Sequence, residues 1–577
     1  MAYDLLINDA QICDGTGAPI YSGSLAVEDG KIAALGKISG IARRELNARG
    51  SVLAPGFIDI HTHYDAQISW DPLLTCSSWH GITSLLMGNC GVGVAPVRPH
   101  QRSTMAWDLV NVEALPHEVL MNGVSWEWES FPEYMRSVER RGVALNTSFL
   151  VPLSALRFYV LGDEAAERAA TPEETAQMAS LFRDAMLAGA YGFSLSLAPQ
   201  HIGFQGRPLA SRMVSREELA ALCRVMRELD RGVIEILPSR GANSTPSDNG
   251  FELLVFLAEQ SNRPVTFLAI LDLPGTSFKA HEDTVERLKL QLARGLKILP
   301  QVTPRPIQQY YTLREPFIFA ALDSWKGVFN RTAEEQIRLF RSADFRQSFK
   351  NELKERVHKA VFRGRWDRVH VVRAEKDENK PFLNCSIAEV AEVLHKDPED
   401  TILDLALSED LGLGITLSVI NVNKDVVHKI LQLPNTLVGL SDAGAHVAQH
   451  CDAGLPSYLL SEWVRERNAL SLEEGVRRLT SEPADFLSLT GKGCLKPGND
   501  ADLVIFDPKR IRPLPPEWCN DLPGGQARLI ERSDGIEYTI VNGHLLFAGD
   551  EYQGGMPGHV LRSGTEANRL AGLRQYR

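Results

Sequence analysis

Residues 55–65 read PGFIDIHTHYD, and both the fold and the chemistry of the chain are read outward from them. A Pro-Gly pair opens a short apolar run, the pattern of a buried strand, which delivers His61 and His63 at its C-terminal end. Residues i and i+2 of a strand point to the same side, so the two imidazoles share a face and can together hold one metal ion. A bare H-x-H is a weak signal. The preceding Pro-Gly, the apolar strand and the acidic Asp65 that follows argue against two unrelated histidines at a loop edge.

Counting that first run as SVLAPGFIDI (51–60), seven more apolar runs follow along the chain: GITSLLMG (81–88), GVALNTSFLVP (142–152), GAYGFSLSL (189–197), GVIEILP (232–238), PVTFLAIL (264–271), LKILPQV (296–302) and NTLVGLS (435–441). Helical stretches such as EETAQMASLFRDAMLAG (173–189) and REELAALCRVMRELDRG (216–232) lie between them, each ending at a glycine suited to a left-handed C-cap. Strands alternating with helices imply a parallel sheet, and eight of them imply an α/β fold closed as a (β/α)8, TIM-like barrel. The stretch from about 308 to 434 is too long for one connection and carries charged helical pieces, so a mainly helical insertion is expected around 308–400. RVHVVRAE (368–375) and ITLSVINV (415–422) are also strand-like, which leaves the numbering of the last barrel strands open.

Both ends of the chain have another texture. DLLINDAQIC (4–13) and SLAVEDGKIAALG (24–36) are short β-branched runs around turn signals, and ADLVIFDP (501–508) and IEYTIVNGHLLFAG (536–549) repeat the pattern. The expectation is a small β-sandwich built from residues 1–54 plus 490–577, including a C-terminal tail, around a barrel spanning 55–489.

The 577 residues are 44% hydrophobic and 23% charged, which fits an ordinary globular chain large enough for a catalytic domain and an accessory one. A net charge of -12 offers no basic stripe for phosphates or anionic lipid, so nucleic-acid and membrane partners are not expected and a small molecule is. No run of about 18 apolar residues occurs, and MAYDLLINDA lacks a secretory pattern, so a cytoplasmic location is expected. Self-association into a homo-oligomer is left open. The eight cysteines are scattered without a C-x-x-C pair, and only Cys90 lies in a context that asks for a chemical role.

Taken together, PGFIDIHTHYD, GITSLLMGNCGVGVAPV (81–97), LVGLSDAGAH (437–446) and PGNDADLVIFDP (497–508) resemble the amidohydrolase superfamily, in its D-aminoacylase (N-acyl-D-amino-acid deacylase) branch, from about residue 3 to residue 560. The resemblance implies a zinc-bearing barrel with a sandwich made from both termini. It implies that Cys90, in GNCG, is a thiolate ligand where a lone cysteine would otherwise read as a buried structural thiol. It also implies that Asp442 touches the metal and acts as general base and acid while a metal-activated water attacks the amide carbonyl; the bland alternative is an Asp capping the next helix. The implied ligand set is His61, His63, Cys90 and Asp442, and the implied substrates are N-acyl-D-amino acids.

The sequence departs from that branch in two respects. Histidines are expected after the fifth and sixth strands, yet GVIEILPSRG and PVTFLAILDL contain none, so one tightly bound Zn2+ is expected and a second ion would need other ligands. Glu235, inside an apolar strand, is a candidate for that role or for an internal ion pair; Asp272 reads as a loop carboxylate. The Lys and Arg expected to grip a substrate carboxylate also find no match, since Asp442 is followed by AGAHVAQHCDAGLP. That keeps two alternatives in play: hydrolysis of an uncharged or cyclic amide or a carbamate, and a metal-free binding protein on the same scaffold. The intact quartet argues against the second. His446 and His201 are candidates for a supporting or substrate-facing role, and His80, ahead of the second strand, for a structural one.

Overall fold

All eight apolar runs form strands, and they close on one another in chain order. The structure, a computed structural model, describes residues 2–241, 245–360 and 362–564. The first three barrel strands are Phe57–Asp59, Ile82–Met87 and Asn146–Phe149, paired in parallel. The third continues through Leu150 into Val151–Pro152, which pairs with Gly192–Ser196. Val233–Leu237, Val265–Phe267, Ile298–Val302 and Leu437–Val438 complete the parallel series. A parallel bridge between Thr62 and Ala443 closes the ring, with His63 N–H donating to the Ala443 carbonyl at 2.7 Å. Nearly every strand residue is buried, as a sheet covered on both faces requires.

The surrounding helices stop and start where their sequences specify. Thr171 caps Pro172–Ala188 in a capping box with Glu174, and Gly189 ends it at φ 110°. Ser215 and Glu218 do the same for Arg216–Leu229, but here Asp230, at φ 48°, takes the left-handed position two residues before the expected glycine.

The two termini share one mixed sheet. Tyr3–Ile12, Tyr21–Glu28, Lys31–Gly36, Ala42–Asn47 and Val52–Pro55 join Leu503–Phe506, Ile536–Val541, His544–Ala548 and Glu551–Tyr552. Val52–Pro55 pairs antiparallel with Leu503–Phe506 and is the point where the two ends meet. The Asp29-Gly30 and Asn542-Gly543 pairs turn their hairpins with positive φ at both positions, as tight two-residue turns require. The tail expected in this region lies beyond Gly564, outside the described residues.

The long segment between the seventh and eighth barrel strands contains helices, among them Ala333–Arg341 and Ala343–Arg356. It is organised, however, on a three-stranded antiparallel sheet of Ile307–Tyr311, Gly414–Ile420 and Val369–Arg373. The two strand-like runs within it therefore belong to this sheet and not to the barrel, and the structured insertion extends past residue 400. It has its own core, in which Phe319 stacks on Trp325 with ring centroids 4.3 Å apart.

Gly88 makes the tightest turn next to the first-strand histidines. Its φ is +81°, and a Cβ there would sit 2.2 Å from the Leu150 carbonyl oxygen. Gly88→Ala should lose about 1–3 kcal/mol from backbone strain alone, read as a lower denaturant midpoint; an unchanged midpoint would show that the turn is not constrained as described.

Candidate metal centre and cavity

Three chain segments bring the ligand candidates together. Past the first barrel strand, His61 and His63 are both buried, with ring centroids 5.3 Å apart. Asp59 accepts a hydrogen bond from His61 N–H at 3.1 Å, and its other oxygen lies 2.6 Å from the Ser441 hydroxyl.

The second segment is GNCG. Three successive residues, Asn89 to Gly91, are held from different strands: Asn89 Nδ2 donates to the carbonyls of Thr62 and Leu86, Cys90 N–H donates to Glu235 Oε2 at 2.7 Å, and Gly91 N–H donates to Ser194 Oγ at 2.9 Å. Cys90 takes φ +54°, and its Sγ lies 3.6 Å from His61 Nε2. The third segment leaves the eighth strand through Ser441. Asp442, at φ 47°, places Oδ1 3.2 Å from His61 Nε2 and 3.6 Å from His63 Nε2.

Ligand atoms of His61, His63 and Cys90 all lie within 4.8 Å of one another, and among the described residues this is the grouping suited to a metal ion. The electrostatics agree with a site built for a cation. Burial opposes ionisation of Asp442, yet the two adjacent imidazoles, His61 foremost, hold its carboxyl well below the usual carboxylate range. Burial likewise opposes charge on His63, but Glu113 and Asp442 outweigh it and raise the imidazole to about 9. Burial pushes Glu113 and Glu235 up to about 7 and the Cys90 thiol far up. For His63, Cys90 and Asp442, the charged neighbours that act on them are carboxylates and imidazoles.

Glu113 was not anticipated from the sequence. It ends the helix Arg102–Glu113, is buried, and its Oε1 lies 3.2 Å from His63 Nδ1. A carboxylate on the far nitrogen fixes the tautomer and orientation of a metal-binding imidazole. Nothing local in RSTMAWDLVNVE marks it; only the tertiary fold brings it to His63.

A cavity of about 480 Å³ opens from this centre. Leu237 and Leu268 stand on its wall, near the positions where two more histidines were expected, and Ile307, Phe317 and Ile420 reach in from the insertion. His201 and His446 both line it. Burial drives His201 down to about 3 and His446 well below the usual range, so both are neutral bases. The His446 ring packs 5.1 Å from Phe317, and its backbone N–H donates to the Glu113 carbonyl. Glu235 lies beneath Cys90, without the barrel Arg or Lys that an internal ion pair would need among the described residues.

Two arginines also reach the cavity: Arg240, three residues past the fifth strand, and Arg363, from the insertion. Burial and the nearby Arg363 lower Arg240 to about 10, which leaves it protonated at neutral pH. The absence of an arginine after Asp442 therefore does not leave the cavity without one. Arg240 was legible in GVIEILPSRG, but Arg363 lies 123 positions further on and is joined to it only by the fold. His80 is bound to the Ser457 hydroxyl and the Glu531 carbonyl, a structural setting, and Asp272 accepts from Asn423 N–H at a loop junction.

Known proteins share this architecture across their length. N-acyl-D-aspartate deacylase and D-aminoacylase of Alcaligenes xylosoxydans xylosoxydans are 25% and 26% identical to this chain, each covering 97% of it, and 95% and 97% of their own lengths are matched. The solved N-acyl-D-glutamate deacylase of Bordetella bronchiseptica superposes with a TM-score of 0.69 at 23% identity, over 97% of this chain and 100% of that one. A solved D-aminoacylase gives 0.68 at 21% identity over 97% and 100%. The amidohydrolase family profile matches residues 44–547, and the chain belongs to that family.

Proposed function

We propose that this chain is a zinc-dependent hydrolase of N-acyl amino acids, with one ion held by His61, His63, Cys90 and Asp442. The observation that carries the reading is the approach of the first three to within 4.8 Å, with Asp442 3.2 Å from His61 at the foot of a cavity. The donor set fits zinc: two imidazole nitrogens, a thiolate and a carboxylate oxygen are its ordinary ligands. Bound there, zinc would supply Lewis acidity toward the amide carbonyl and toward water.

The remaining roles fall to the chain itself. Asp442 Oδ1, facing both histidines from the eighth strand, takes the proton of the attacking water and returns it to the departing nitrogen. Glu113 holds His63 by Nδ1, which leaves Nε2 aimed at the centre. Leu237, Leu268 and Phe317 keep bulk water from the acyl group. Arg240 and Arg363, two like charges facing one cavity, are complementary to a substrate carboxylate. They favour an N-acyl amino acid over an uncharged or cyclic amide or a carbamate, and the similarity to N-acyl-D-aspartate deacylase and D-aminoacylase of Alcaligenes xylosoxydans xylosoxydans supports the D-configured class. The convergence of the quartet disfavours a metal-free binding protein. A reducing, cytoplasmic setting accords with eight free cysteines; no helix among the described residues is long and apolar enough to cross a membrane.

Chelator dialysis should abolish turnover, and about one equivalent of zinc per chain should restore it; full activity in protein shown by elemental analysis to be metal-free would sink the proposal. Asp442→Asn should keep its circular dichroism while kcat falls by roughly 10²–10⁴-fold, and a change within twofold would remove the proton role. Arg240→Met or Arg363→Met should raise KM for N-acetyl-D-amino acids by about 10-fold or more, the scale of a lost charged hydrogen bond. An equal effect on the matching N-acyl amine, which lacks the carboxylate, would refute carboxylate recognition.

A further inference from the structure

Two separate features of the barrel interior meet at Glu235. The residue sits in the middle of Val233–Leu237, between Ile234 and Ile236, and is fully buried. Its Oε2 accepts the Cys90 backbone N–H at 2.7 Å, while Oε1 has no hydrogen-bond partner and no described lysine or arginine forms an ion pair with it. A carboxylate so placed is costly unless a cation stands close by.

The second feature is the ligand cluster on the other side of Cys90. His61, His63 and Cys90 gather their donor atoms within 4.8 Å, an arrangement suited to holding a cation. Cys90 holds φ +54°, a left-handed conformation disfavoured for a residue with a Cβ, and the bond to Glu235 falls on the backbone N–H of that same residue. The buried carboxylate and the ligand cluster are therefore adjacent, joined through one amide.

We propose that Glu235 is a positioning residue of the metal centre. Its carboxylate holds Cys90 in the conformation that turns Sγ toward His61, and its negative charge tightens the hold on the ion. This rests on the metal-centre reading above and deepens it: the space below the cysteine is filled by a protein carboxylate, and the centre is completed from the fifth strand without a histidine there.

The test is zinc affinity of the full-length metal-free protein, titrated against a chromophoric chelator, together with the thiolate-to-metal band of the Co2+-substituted form. Glu235→Gln keeps an acceptor for Cys90 N–H but removes the charge; Glu235→Met, similar in length and at home in an apolar strand, removes both. Zinc affinity should fall about 10–100-fold in the Gln variant and at least as far in the Met variant, with the cobalt band shifted or weakened in the latter. Should the Gln variant not fold, the Met variant carries the comparison. Affinities of both variants within twofold of wild type would overturn the proposal. A normal Gln variant beside a weakened Met variant would overturn its charge component. If the wild-type protein takes up no zinc, the metal-centre reading itself fails, a result distinct from wild type binding zinc and both variants matching it.

Discussion

The hydrogen bond from His63 N–H to the Ala443 carbonyl joins the chain leaving the first barrel strand to the chain leaving the eighth. It closes the ring, and in doing so it sets residues 380 positions apart side by side. Ser441 reinforces the junction, since its hydroxyl touches both Asp59 and the His61 carbonyl. A parallel barrel has no free sheet edges only if this last pairing forms. Here the same pairing decides whether Asp442 faces the two histidines. Stability and chemistry are therefore coupled at one seam: a change that loosened it would open the barrel and separate the quartet in one step.

Around that seam the protein buries several acids with little basic compensation. Glu113, Glu235 and Asp65 are all buried, and each has its carboxyl raised by burial. A folded chain tolerates such a cluster when hydrogen bonds and a strong local positive charge offset desolvation. The acids are not equivalent. Glu113 orients an imidazole, Glu235 anchors the cysteine amide, and Asp65 accepts from Gly88 N–H and so steadies the turn that presents Cys90. Arg240 and Arg363 stand apart from this cluster, on the cavity wall.

The legible part of this architecture was the part written in local pattern. Apolar runs with Gly or Pro at their edges marked all eight barrel strands, because a strand covered on both faces must be apolar throughout. His61 and His63 were legible because strand periodicity alone puts them on one side, and the N-G and D-G pairs announced the hairpins of the terminal sheet. Glu113 and Arg363 could not be found in this way: each is an ordinary charged residue in its own segment and acquires a role only through a partner far away in sequence. The insertion was partly misread for a related reason. Its charged helices are conspicuous, whereas its sheet joins strands from residues 307 to 420 whose pairing depends on long-range contact. Glu235 is intermediate, since its oddity in an apolar strand was visible but its partner, a backbone amide on another strand, was not.

The sheet shared by the two termini bears on how the chain is made. Val52–Pro55 emerges early in synthesis, but its antiparallel partner Leu503–Phe506 follows some 450 residues later. At a translation rate of about 5–20 residues per second, that edge waits tens of seconds for its mate. During the wait the N-terminal strands present unpaired backbone, a surface prone to pairing with the wrong chain. Ala42–Asn47, which pairs with Tyr3–Ile12 and has mostly exposed, charged side chains, gives the early hairpins a local partner and a polar face during that interval. A truncated or stalled chain lacks Leu503–Phe506 and with it the strand that joins the two halves of the sheet.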